Sequence, residues 1–184
     1  FGIYSGGASI GATTVGNDND YNVITGNTLT RLRYGIVTVG GSATNPNLDT
    51  KITNNIVGPA SYGIDQLNRA GILASNEENL IITGNEVRFM SNRMVDVSTS
   101  NDIVGIGLSS DASWTASTTF MKNATVANNV IHDLANERTY STVGILLAGV
   151  NGSIATSNTV SNNMIYNVLS NGTAGDQLVG IGIA

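Results

Sequence analysis

Apolar and polar positions recur along this chain in a fixed frame. Let the sequence be aligned on Asn27, Asn55, Asn85, Asn129 and Asn163. Three places earlier stand Ile24, Ile52, Ile82, Val126 and Val160, all β-branched. Two places later stand Leu29, Val57, Val87, Ile131 and Ile165, and five places later Leu32, Ala60, Met90, Leu134 and Val168. Each column is apolar, while the positions between them change from Thr28 to Glu86 to Met164. Apolar residues two apart within short stretches follow a strand period, not a helical one.

A second signature alternates with the first. Gly-Ile appears at Gly2-Ile3, Gly35-Ile36, Gly71-Ile72, Gly105-Ile106, Gly144-Ile145 and Gly180-Ile181, at spacings of 33, 36, 34, 39 and 36. A further copy, Tyr62-Gly63-Ile64, leaves two registers open for the second repeat. Each repeat of ~36 residues therefore holds two recognisable short strands. One such unit cannot bury its own apolar face, whereas stacked units can. Rungs at a spacing of about 4.8 Å would lay like residues over like.

The pattern predicts an all-β chain, a parallel β-helix (solenoid) of about five rungs of ~36 residues with loop insertions. The rungs fall roughly at 1–33, 34–69, 70–103, 104–142 and 143–178, with another starting at 179–184. The Asn column is predicted to form a ladder, each amide bonding to the amides above and below. Asn also tolerates the left-handed backbone of a tight corner, and Gly is expected to serve the same need at the other corner. The segments 40–50, 88–102, 109–123 and 134–142 are expected as outer loops. Both "FGIYSGG" and "VGIGIA" read as core strands, so further β-helix rungs or capping domains are expected at both ends.

Composition supports strands and turns. Of 184 residues, 24 are Asn and 22 Gly, while Lys numbers two and Glu four. Helix-rich chains favour Ala, Leu, Glu and Lys instead. A net charge of −5 offers no basic stripe for nucleic acid. No apolar run reaches the roughly 18–20 residues of a membrane span, so membrane insertion is not expected. With no cysteine, thiolate metal sites and disulfides are excluded.

The stretches "NVITGNTL…YGIVTV" and "ATVANNVIHDL…VGILLAG" resemble the right-handed parallel β-helix repeats of the pectate-lyase-like superfamily, whose coils carry "GIxhxxS…N.hITxNxI". More narrowly, "NNMIYNVLSNGTAGDQLVGIGI" resembles Asn-rich β-helix surface proteins of bacteria that export through the type IX route. The resemblance, with the right-handed preference of parallel crossovers, implies a right-handed coil. It implies a bacterial, extracellular or cell-surface location. It also implies either a structural or adhesive segment, contacting carbohydrate through its loops, or a polysaccharide-degrading lyase or glycoside hydrolase. Lyases of the superfamily combine acidic calcium ligands with a Lys or Arg base. Arg69, Arg93 and Arg138 stand at different offsets from the following Gly-Ile and form no aligned basic cluster.

The candidate chemistry is sparse, and the reading leans away from an enzyme. His132, the one histidine, adjoins Asp133, a pair able to act as a general base; lying between inward Ile131 and Leu134, both are expected to point outward at a coil corner in a structural or solvent role. Asp96, Asp102 and Asp111 would make a carboxylate pair only if the long loops bring them together. Trp114, in a Ser/Thr-rich loop, could stack on a sugar or fold its loop onto the barrel. Asp18, Asp20 and Asn22 alternate as calcium ligands can, but Val23 and Leu29 stand where an EF-hand loop needs Gly and Glu, and a polar turn is favoured. No other cofactor is expected. Thr25, Thr53, Thr83, Ala127 and Ser161 form one broken outward rank, which β-propensity explains better than ice binding.

Overall fold

The computed structural model describes residues 1–12, 14–92, 102–113, 119–137, 140–148, 157–171 and 176–184. The chain forms a right-handed parallel β-helix. The first coil carries β1 (Ile3–Ser5), β2 (Val23–Thr25) and β3 (Thr28–Leu29). The second carries β4 (Tyr34–Val39), β5 (Asn47–Leu48), β6 (Lys51–Thr53) and β7 (Ile56–Val57). The third carries β8 (Ala70–Ser75), β9 (Glu77–Glu78), β10 (Ile81–Thr83) and β11 (Glu86–Ser91). The fourth carries β12 (Ile103–Leu108), β13 (Met121–Lys122), β14 (Thr125–Ala127) and β15 (Val130–Asn136). Then follow β16 (Thr142–Leu147), β17 (Thr159–Ser161), β18 (Met164–Ser170) and β19 (Leu178–Ile183).

Like strands stack into four parallel sheets. Sheet A runs β1-β4-β8-β12-β16-β19, sheet B β17-β14-β10-β6-β2, sheet C β18-β15-β11-β7-β3, and sheet D β13-β9-β5. The register follows the apolar columns: Ile24 pairs with Ile52, Ile52 with Ile82, Ile82 with Val126, and Val126 with Val160. These residues and the Leu29-to-Ile165 column meet the sheet A isoleucines in one core. The outer face of sheet A is covered too: Val37, Val39, Leu73, Val104, Val143 and Leu146 form a second buried cluster with Ala112 and Ala148. This explains strands such as "IVGIGL" with no polar alternation, since both faces are dry.

The Asn ladder runs through the coils. The Nδ2 of Asn27 donates to Asn55 Oδ1 at 2.9 Å, that of Asn55 to Asn85 Oδ1 at 2.9 Å, that of Asn85 to Asn129 Oδ1 at 3.0 Å, and that of Asn129 to Asn163 Oδ1 at 2.9 Å. Each Oδ1 also accepts the backbone N–H of the preceding ladder residue. The left-handed residue is not the ladder Asn but the one before it: Gly26, Asn54, Gly84, Asn128 and Asn162 all have positive φ. This is why the repeat reads Gly-Asn or Asn-Asn, the two residue types for which that region costs least.

Three expectations are corrected and one open register is resolved. The Gly of Gly-Ile turns no corner with a left-handed φ; among the described residues the positive-φ glycines are Gly26, Gly58 and Gly84. Gly35, Gly71, Gly105 and Gly144 serve close approach instead. A Cβ on Gly71 would stand 2.5 Å from Val87 Cγ1 and 2.6 Å from Gly105 O, so sheet C's inner column packs against bare backbone. Second, Ala60 is exposed, and Leu67 takes its place in the core, bridging to Met90. The cause is Pro59. The equivalent residues Arg31, Phe89, Asp133 and Asn167 all have positive φ, which a proline ring forbids. The chain leaves the frame after Gly58 and returns at Leu67. Third, Tyr62-Gly63-Ile64 lies in this excursion, with Ile64 exposed, so Gly71-Ile72 holds the register. Fourth, the expected loops 40–50 and 109–123 contain β5 and β13 of sheet D, β11 extends into 88–102 as far as Ser91, and β15 extends into 134–142, where β16 also begins. Strands of two residues show no alternation by which sequence could reveal them.

Candidate functional site

The chemistry collects on the outer face of sheet C. Strand pairing in this sheet runs Val87 to Ile131 and Arg88 to His132, skips one residue, and resumes with Met90 to Leu134. The skipped residues are Phe89 and Asp133, at φ 46° and 54°. In a regular strand, neighbours point to opposite faces. The left-handed residue breaks that alternation, so His132 and Asp133 project together. Asp133 Oδ2 thereby lies 2.6 Å from His132 Nδ1.

Glu86 completes the group from the rung below. It pairs in register with Val130, two residues from His132 on the same face. Its Oε1 lies 3.1 Å from His132 Nε2 and accepts from Arg88 Nη1 at 2.8 Å. The imidazole is thus held between two carboxyls. A neutral ring has one N–H, so only the imidazolium donates to both at once. Burial pushes the Glu86 carboxyl up, but hydrogen bonds from His132 and Arg88, with the charges of the same two groups, outweigh it and leave its pKa below the usual value.

Aromatic rings cover this array along the solenoid axis. Tyr166, in register with His132 on the next rung, stacks on the imidazole at 4.8 Å and 5°. Phe89 meets the imidazole edge-on at 5.6 Å, and Tyr62 meets Phe89 edge-on at 5.4 Å. His132 is consequently only 7% exposed, while Tyr62 and Tyr166 remain 44% and 42% exposed. Burial first, then the charges of Asp133 and Glu137, push the Tyr62 phenol up to about 12. Tyr62 therefore stays a neutral donor across the physiological range. The strip presents two open rings flanking a fixed acid–imidazole–acid array.

The other candidates are placed as follows. Asp102 Oδ1 accepts the Ser141 backbone N–H at 2.8 Å, while Asp111 accepts the Ser113 hydroxyl. Asp102 is thus tied to the following coil and Asp111 to its own turn. Asp96 and Trp114 lie outside the described residues, as do Arg93 and Arg138. Arg69 stands over the Tyr34 ring at 5.9 Å and reaches the Asp111 carbonyl. Asp18 and Asp20 do meet: a hydrogen bond with Asp20, then its charge, raise the pKa of Asp18. Asn22, however, turns its amide to Ser5 Oγ and Asn19 O. Among the described residues, no three of His, Asp or Glu are placed to hold a metal ion. Glu86 escaped the sequence reading. Its signal was its offset, one place past a ladder Asn and hence outward, one rung from outward His132. Among the described residues no helix is long and apolar enough to cross a membrane. The chain matches no protein-family model, no curated protein and no solved structure.

Proposed function

We propose that this chain is a structural and adhesive β-helix segment of an exported bacterial surface or secreted protein, related to the pectate-lyase-like coils, that contacts carbohydrate through the outer face of sheet C. The observation that carries this reading is the file of Tyr62, Phe89, His132 and Tyr166 stacked across successive rungs on one face, with the Tyr62 ring open. Exposed rings on a rigid sheet suit the apolar faces of sugar rings, and adjacent acid groups suit their hydroxyls. The stacked coils supply rigidity, and further rungs or capping domains are the expected neighbours along the axis.

The second reading is a polysaccharide-degrading lyase or hydrolase, favoured by the two carboxyls of Glu86 and Asp133 on one face. Against it, the imidazole fills the gap that a hydrolytic water or glycosidic oxygen would need. Glycan-array binding followed by calorimetry tests the adhesive reading. Tyr62→Ala and Tyr166→Ala should each weaken binding by roughly 10-fold, with no reducing ends released. Release of reducing ends or unsaturated products, lost in Glu86→Gln or Asp133→Asn, would replace it with the enzymatic one. Glycan binding unchanged in both tyrosine variants would remove the strip from the account.

A further inference from the structure

One carboxyl is sealed inside the solenoid, away from the sheet C strip. Glu77 opens β9 and is wholly buried. It stands in a corner file begun by the amide of Asn47: Asn47 Oδ1 accepts the Asn19 backbone N–H, and Asn47 Nδ2 donates to Glu77 Oε1 at 2.8 Å. On the next rung its register partner is Met121, which offers nothing polar to continue the file. Glu77 Oε2 has no hydrogen-bond partner. The Thr38 and Thr50 hydroxyls, equally buried, lie against the same carboxyl, and neither closes a hydrogen bond of normal geometry. Three buried oxygens without a protein partner among the described residues thus share one corner between sheets A, B and D.

An ionised carboxylate is the wrong occupant for such a corner. It would place a full charge in the core with no cation beside it among the described residues. A neutral carboxylic acid fits, because it still accepts from Asn47 through one oxygen and gains an O–H to donate to a threonine hydroxyl through the other. We propose that Glu77 is a proton-held lock between the second and third coils: protonated, it substitutes for the missing ladder amide, and ionised, it loosens that corner.

The charged surroundings agree. Asp20, in the first coil, is the charge that acts on Glu77, and it disfavours ionisation. Glu78 and Lys122 pair with each other at 2.6 Å, and both stay partly exposed. Asn47, Met121, Thr38 and Thr50 carry no charge. Burial, chiefly, raises the Glu77 pKa from 4.5 to about 7 against the pull of Asn47 and the threonines. The native state then binds more protons than the unfolded chain between these two values. Stability from this group is fully present below about 4.5, declines as pH rises through about 7, and is flat above.

Equilibrium unfolding from pH 4 to pH 9 tests the lock, in the Asp18→Asn background to remove another raised carboxyl. The folding constant should fall on the order of 10²-fold as Glu77 ionises, and Glu77→Gln should abolish that fall. Infrared spectroscopy of the same protein should show a buried protonated-carboxyl band at pH 5 that fades by pH 9 and is absent from Glu77→Gln. Parallel pH profiles with and without Glu77 would overturn the proposal. Should Glu77→Gln not fold, a folded Asp18→Asn protein lacking the band at pH 5 would overturn it equally.

Discussion

A single ladder asparagine binds several polar groups at once. Asn85 accepts the backbone N–H and the amide N–H of Asn55, and donates to Asn129 Oδ1 and to the Ile52 carbonyl at 2.8 Å. Asn85→Ala removes all of these while leaving the partners buried. An orphaned buried polar group costs about 1–3 kcal/mol, so the variant should lose about 3–4 kcal/mol in denaturant unfolding. Asn27 stands at the first coil and is only half-buried; its side chain donates to Asn55 Oδ1 and the Thr25 carbonyl. Asn27→Ala should cost about 1 kcal/mol. Equal losses at both positions would mean that the amides act as independent turn formers and not as a file whose interior members carry more.

At the scale of elements, the glycine column makes the sharper test. Gly71 sits where sheet C's Val87 presses onto the sheet A backbone, with the Gly105 carbonyl on the other side. Gly71→Ala forces backbone apart and should cost about 3 kcal/mol, the upper end for overpacking. Gly180, in β19, has open space around the same Cβ position, so Gly180→Ala should change stability by less than about 0.5 kcal/mol. The column itself was legible in the sequence, as were Ile24 to Val160, because a solenoid writes each inward position once per coil. The reason for the glycines was not legible, since sequence shows that a residue lacks a side chain but not what presses against the gap. Sheet D was hidden because Asn47–Leu48 and its partners are two residues long. The His132 array was hidden for another reason. It depends on the left-handed φ of Asp133, which the residue type alone does not announce, and on a diagonal contact to Glu86, which arises between coils rather than along the chain.

For the whole molecule, each coil touches only the coils beside it, so stability should grade along the axis rather than be shared. The gradient is already visible in burial. Strands β8 and β12 are buried along their full length, while β19 leaves Leu178, Ile181 and Ile183 open at 55%, 51% and 79%. Strand β1 is half-buried throughout, and β18 alternates half-buried with open positions. A cooperative globule would release its core amides together, at the free energy of global unfolding. A stacked coil has a cheaper route, peeling from either end, because each step exposes one interface and leaves the others intact. In the 184-residue chain by itself, with no further rung stacked on β1 or β19, native-state hydrogen exchange should therefore show β19 and β1 exchanging first, then β18 and β16, with β8 and β12 slowest by orders of magnitude. Gly71→Ala, placed in the slowest strand, should accelerate β8 and its neighbours β4 and β12 far more than β19. A uniform acceleration across all sheets would show that the coils unfold as one unit, and nearest-neighbour stacking would no longer describe how this chain holds together.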